Sequence, residues 1–177
     1  MDNIFFDIDR LKDIGKNVII GKTARIRYPE LVSIGDNVII DDFCYISTRL
    51  TIKSYVHISS GCKIIGGKKS NVIFNNFSTL SPNVVIAAGS DDYISGIATP
   101  LVPEKYKGKV ETSEIVFGKH SIIGSNSVIL PGVSIGEGAS LGALSLANND
   151  LMEWYLHVGI PAKKIKKRMK NEILKNE

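Results

Sequence analysis

The feature that most constrains this chain is a period of six. Aliphatic or aromatic residues recur at Ile14, Ile20 and Ile26; at Ile34, Ile40, Ile46, Ile52, Ile58 and Ile64; at Phe74, Leu80 and Ile86; and at Phe117, Ile123, Ile129, Ile135 and Leu141. Glycine follows the mark in Ile20-Gly21, Ile34-Gly35, Phe117-Gly118, Ile123-Gly124, Ile135-Gly136 and Leu141-Gly142. A second apolar or small residue stands four positions on, as at Val18, Ala24, Val38, Val56, Val84, Val133 and Ala139. Between them lie Asp, Asn, Lys, Ser and Gly, which favour turns. An α-helix wants apolar residues three and four apart, and glycine at every sixth position would weaken it. An antiparallel meander wants longer runs with hairpin signals. Six residues suit one short strand and one turn. Three such units close a triangular coil, and coils stack strand over strand so that like residues pack on like. The expected fold is all-β, a parallel β-helix.

Counting by threes gives about five and a half coils between residues 14 and 146. Residues 27–33 and 65–73 read as short insertions. Residues 90–116 form a long polar one with Pro100 and Pro103, and loops of that length in a compact domain are usually functional. The chain thus divides into an N-terminal cap over 1–13, a β-helix over 14–146 carrying loop 90–116, and a strap and helix over 147–177. Residues 2–12 suggest an amphipathic capping helix. The period stops after Leu146, Trp154–Pro161 reads as an extended strap, and a helix is expected from Ala162, with Ile165, Met169 and Ile173 on one face.

Composition adds bounds. The 177 residues are 44% hydrophobic and 23% charged, as in ordinary folded domains. No apolar run approaches the roughly 20 residues that span a bilayer. The N-terminus is acidic where a secretory leader would be basic, so a cytoplasmic location is expected. Cys44 and Cys62 make no CxxC motif and read as small apolar residues. The net charge of +4 is concentrated in Lys163-Lys164-Ile165-Lys166-Lys167-Arg168-Met169-Lys170. Nucleic acid, a phosphorylated cofactor or plain solvation would each account for that run.

The repeats, the long loop, Ile123-Gly124-Ser125-Asn126-Ser127-Val128-Ile129-Leu130-Pro131-Gly132-Val133-Ser134-Ile135-Gly136 and Gly159-Ile160-Pro161-Ala162-Lys163 together resemble the hexapeptide-repeat acetyltransferases. That family includes galactoside, maltose and xenobiotic acetyltransferases and enzymes of surface polysaccharide biosynthesis. The resemblance implies a left-handed coil, a homotrimer with active sites between subunits, and acetyl-CoA as co-substrate without a metal. The acceptor it implies is a hydroxyl or amine of a sugar or nucleotide-linked sugar.

Acetyl transfer needs a base for the acceptor, a donor for the thioester oxygen and a cradle for CoA. The family's histidine stands just before the long loop, and here Asp91 occupies that place in Ser90-Asp91-Asp92-Tyr93. His57, next to inward Ile58, is expected to face outward on a flank that lines a trimer. There it is the candidate base, with Asp91 or Asp92 orienting it or binding the acceptor. His120, in a turn, is the second candidate and a possible acceptor contact; His157 reads as structural. A carboxylate such as Asp92 would suffice for a sugar amine, which needs less help than a hydroxyl. By the resemblance, Ser125 approaches pantetheine, Gly142 and Ala143 offer backbone contacts, and Lys163, Lys166 and Arg168 meet the CoA phosphates. Tyr93, Pro100, Pro103 and Tyr106 resemble a flap over the acceptor.

Two other readings stay open on this fold. A γ-type carbonic anhydrase needs three clustered histidines, but His57, His120 and His157 are 63 and 37 residues apart. A non-catalytic scaffold is the main alternative, and it would have no use for the Gly159–Lys163 tail. Nucleic-acid binding lacks a recognisable module.

Overall fold

The computed structural model describes residues 3–99 and 101–175. The chain winds into a triangular parallel solenoid with three flanks. On the first, Ile20, Ile40, Ile58, Leu80, Ile123, Leu141 and His157 lie in register, one per coil. On the second stand Ile26, Ile46, Ile64, Ile86, Ile129 and Ala147. On the third stand Ile14, Ile34, Ile52, Phe74, Phe117, Ile135 and Leu151. Every marked residue after Ile14 is buried, and the columns form one continuous core. Ile14 stays 46% exposed, whereas Ile20 and Ile26 of the same first coil are buried. Phe74 and Phe117 stack at 4.3 Å in the third column, filling the coils on either side of the long loop.

The corners explain the small residues. Between the third and first flanks the chain turns through the left-handed backbone region at Asn17, Asn37, Tyr55, Phe77, His120, Gly138 and Trp154. Asparagine and glycine accept that region readily; bulky residues do not. Ring stacking offsets the strain: Tyr55–Phe77 and Phe77–His120 lie at 5.1 Å, and His120–Trp154 at 6.1 Å. Trp154 lies across Gly138, where an added Cβ would come within 2.4 Å of the indole.

Four expectations are corrected. Residues 65–73 do not loop out: Lys63–Phe74 is one strand, paired along Tyr45–Ile52 with register shifts at Thr48. Thr48 Oγ1 donates to the carbonyls of Gly67 and Ser70, holding this flattened corner together. The coil does not stop at Leu146, because Leu151 and His157 continue two columns into a seventh turn. The tail from Lys163 is first an antiparallel strand, Lys163–Lys167, running back along Tyr155–Val158; the helix is only Lys170–Leu174. That strand covers the edge the last coil would otherwise expose. At the other end, in place of a capping helix, only Ile8–Arg10 among the described residues forms a 3₁₀ turn, capped by Asp7, with Asn3 donating to the carbonyls of Gly21 and Ala24.

Cys44 and Cys62 stack in the core as neighbours, donating to the carbonyls of Ser59 and Ser81. Contact with the Cys62 thiol, and then burial, push the Cys44 pKa up, and the burial of both side chains in the core keeps either thiol from reaching a substrate.

Phe74→Ala should destabilise the protein by about 3–5 kcal/mol, read from the shift of its urea midpoint. Tyr55→Ala, at an exposed corner, should cost far less.

Candidate active site

On the first flank the residues on either side of each inward one point outward. The outward row after the inward position reads Gly21, Asp41, Ser59, Ser81, Gly124 and Gly142. The row before it holds His57 beside Ile39 and Thr79. Pairing Ile40 with Ile58 therefore makes Asp41 a diagonal neighbour of His57, and the His57 Nε2 to Asp41 Oδ2 distance is 2.8 Å. Both side chains are about half exposed. A carboxylate only accepts, so this contact keeps a proton on Nε2 and leaves Nδ1 as the ring's basic atom. Sequence reasoning placed His57 outward but missed Asp41. The signal was present in the column register.

Asp91 and Asp92 lie elsewhere. Gly89–Ser90 pairs antiparallel with Glu111–Thr112, so the long loop is an arm on a two-stranded stem. Within one chain this arm leaves from the corner past the second flank and does not meet His57. Ser90, Asp91, Asp92, Tyr93, Ile94, Lys109 and Glu111 line an open cleft at its base. Asp92 accepts from the Ser95 hydroxyl and from the amides of Ile94 and Ser95. The Ser95 hydroxyl, then those amides, hold its carboxyl down at about 2. A carboxylate so weakly basic organises the turn and makes a poor proton acceptor. Tyr93 is 90% exposed, Tyr106 is also exposed, and Pro103 precedes the 3₁₀ turn Glu104–Tyr106. Pro100 lies outside the described residues.

The expected CoA contacts cluster at one edge of the first flank. Ser125 is half-buried, and its carbonyl accepts from Leu144. Ala143 is exposed beside Gly142. Gly142 is glycine because Val158 lies across it: an added Cβ would come within 2.7 Å of Val158 Cγ1. Val158 pairs with Lys163, which brings that lysine to the same edge, and Leu156 pairs with Lys166. Both lysines are exposed. Arg168 departs from the group. Its Nη1 donates to the carbonyls of His120 and Gly138, at 2.9 and 2.7 Å, and partial burial lowers its pKa. It clasps the tail to the opposite corner. His120 lies in that corner with its ring between Phe77 and Trp154. His157 is buried on the inward column, taking the Met152 amide at Nε2, with Nδ1 3.4 Å from the Ser140 carbonyl. Among the described residues no group of three or more His, Cys, Asp or Glu is placed to hold a metal, and no helix is long and apolar enough to cross a membrane.

A family model for the hexapeptide repeat of succinyl-transferase matches residues 13–42 and 115–143. A dTDP-4-amino-4,6-dideoxy-D-glucose acyltransferase of Escherichia coli is 39% identical, over 90% of this chain and 83% of its own length. The chain belongs to the hexapeptide-repeat sugar acyltransferases. Its fold is accordingly their left-handed parallel β-helix, and its activity is acyl transfer from a CoA thioester to a sugar hydroxyl or amine. Crystal structures of AntD, an N-acyltransferase from Bacillus cereus, superpose with a TM-score of 0.87 at 37% identity, covering 99% of each chain. One of them, a single serine variant, holds dTDP-4-amino-4,6-dideoxyglucose and coenzyme A, and a single aspartate variant holds dTDP and coenzyme A. The Escherichia coli protein WbbJ, a putative lipopolysaccharide O-acetyl transferase, is 29% identical over 70% of this chain and 60% of its own length.

Because the Asp92 carboxyl titrates below its free value, its turn contributes stability above the unfolded pKa near 4. That contribution is lost as pH falls through about 2. Amide exchange at Ile94 should therefore stay protected at pH 4 and rise toward pH 2, and Asp92→Ala should abolish the protection at pH 7.

Proposed function

We propose that this acyltransferase modifies the amine of a dTDP-linked amino-dideoxy sugar, using acetyl-CoA or a close acyl-CoA. The reading places it in the cytoplasm, supplying sugars for surface polysaccharide, and as a homotrimer with the site shared between subunits. The observation that carries it is full-length similarity to two proteins named for that acceptor chemistry, one of them solved with the amino-sugar nucleotide and CoA together. The missing histidine at the arm supports an amine over a hydroxyl, since an amine becomes a competent nucleophile once one proton is lost. The trimer is supported by an apolar outward stripe on the second flank, Ile65, Val85, Ala87, Val128 and Leu130, of the kind a subunit contact covers.

In this reading acyl-CoA lies along the first flank. Lys163 and Lys166 face its phosphates, and Ser125, Gly142 and Ala143 flank the pantetheine. His57, held by Asp41, takes the ammonium proton at Nδ1. The freed amine attacks the thioester carbonyl; as the tetrahedral intermediate collapses, the nitrogen gives up its second proton to solvent, and CoA leaves as thiolate and takes the proton held on Nδ1. Asp91, from a neighbour's arm, binds the amine. A second assignment has one observation behind it: Asp91 stands on the arm, in the place of the family's histidine. It makes Asp91 the base.

Purified protein should release CoA from acetyl-CoA with a dTDP-amino sugar at a rate well above that with maltose or a galactoside. No turnover of the amino-sugar nucleotide would overturn the proposal. His57→Ala should lower kcat about 10²–10⁴-fold with the KM for acetyl-CoA unchanged. If Asp91→Asn shows that loss while His57→Ala does not, the base is the arm carboxylate.

A further inference from the structure

The arm has two sides, and only one carries the aspartates. Along its stem successive side chains alternate. Glu111 therefore faces the cleft of Asp91, Asp92 and Tyr93, while Val110 and Thr112 face a second cleft of about 350 Å³. Gly66, Gly67, Lys68, Lys69, Glu104 and Lys107 complete that second cleft. Three lysines oppose one carboxylate there, away from the cationic tail on the first flank.

The fold builds this cleft. Gly67 takes φ +75°, and a Cβ there would meet nothing within 4 Å, so the backbone bulge faces open space. The stem rests on the bulge: a Cβ on Gly89 would come within 2.8 Å of the Gly66 carbonyl and 3.0 Å of that of Glu111. The bulge thereby presents Lys68 and Lys69 toward the arm, and the arm returns Lys107 to them. Lys107 is mostly covered, and its Nζ is 2.7 Å from Glu104 Oε1. Lys68 is more loosely engaged, 3.9 Å from Glu30 Oε1 and 4.8 Å from the centre of the Tyr28 ring. Lys69 makes no ion pair among the described residues.

We infer that this lysine cleft binds the diphosphate of the nucleotide-linked acceptor, so that the sugar nucleotide straddles the arm's stem with its amine toward Asp91. The inference rests on the sugar-nucleotide reading above. A diphosphate brings more than one negative charge, and Lys68 and Lys69 on the bulge and Lys107 on the arm can converge on it from two sides. The two clefts share one wall, the stem, which matches a ligand with its charged and reacting parts a few bonds apart. CoA also carries a diphosphate, but the lysines expected to meet it lie on Lys163–Lys167 at the end of the first flank.

Calorimetry of the whole protein with dTDP and, separately, with CoA tests this. Lys69→Glu and Lys107→Glu should each weaken dTDP binding by about tenfold or more, the loss expected when a charged hydrogen-bonding partner is replaced by its opposite. Their CoA affinity should stay that of the parent, and Lys69→Glu should keep the parent's melting temperature. Lys107→Gln, which keeps the arm's packing, should show a smaller loss of the same kind. Wild-type dTDP affinity in both charge-reversal variants overturns the inference, as does a loss confined to CoA. A parent protein that binds CoA but no dTDP overturns the sugar-nucleotide reading itself, and this inference with it.

Discussion

Like stacks on like in this molecule, and its remaining features depend on that. Each coil presents an aliphatic or aromatic residue to each flank, and its apolar face is covered only by the coils above and below. The three columns from Ile20, Ile26 and Ile34 downward are almost wholly buried. Because a parallel ladder fixes neighbouring strands in register, the outward residues are fixed as well. Asp41 meets His57, and Ser59 and Ser81 fall in line with Gly124 and Gly142. The surface chemistry of the first flank is thus a by-product of core packing.

That dependence explains what the sequence disclosed. Spacing by six gave the columns, the corners and the outward placement of His57. It did not disclose the flattened corner at Thr48, because Ile46 and Ile52 keep the same interval whether the chain turns or runs straight between them. It did not disclose the seventh turn, since Ala147 to Leu151 breaks the step and a histidine replaces the aliphatic residue at 157. The tail failed for another reason. Lys163–Lys167 has a charged, exposed pattern compatible with helix, and its strand state comes from hydrogen bonds to Tyr155–Val158 that no local signal encodes. Arg168 read as one more phosphate ligand, whereas its guanidinium is engaged with two corner carbonyls.

The candidate site divides between the solenoid and the arm. His57, Asp41 and the edge proposed for CoA are carried by the solenoid, whose geometry the core dictates. Asp91 and Asp92 are carried by an arm anchored through a short stem, and the lysine cleft lies between that arm and the glycine bulge of the solenoid. Such a division suits a transferase whose donor is constant and whose acceptor varies: relatives can change the arm without disturbing the columns. It also explains why Asp92 is spent on the turn. An arm with little core of its own needs a buttressed bend to keep its neighbour Asp91 in place.

The most direct measurement is a crystal structure of this protein with CoA and dTDP bound together. The account expects CoA along the first flank, its pantetheine beside Ser125 and Gly142 and its thiol directed toward His57, with another subunit's arm closing over it. CoA seated on a different flank, or a site assembled wholly within one subunit and away from His57 and Asp91, would contradict it.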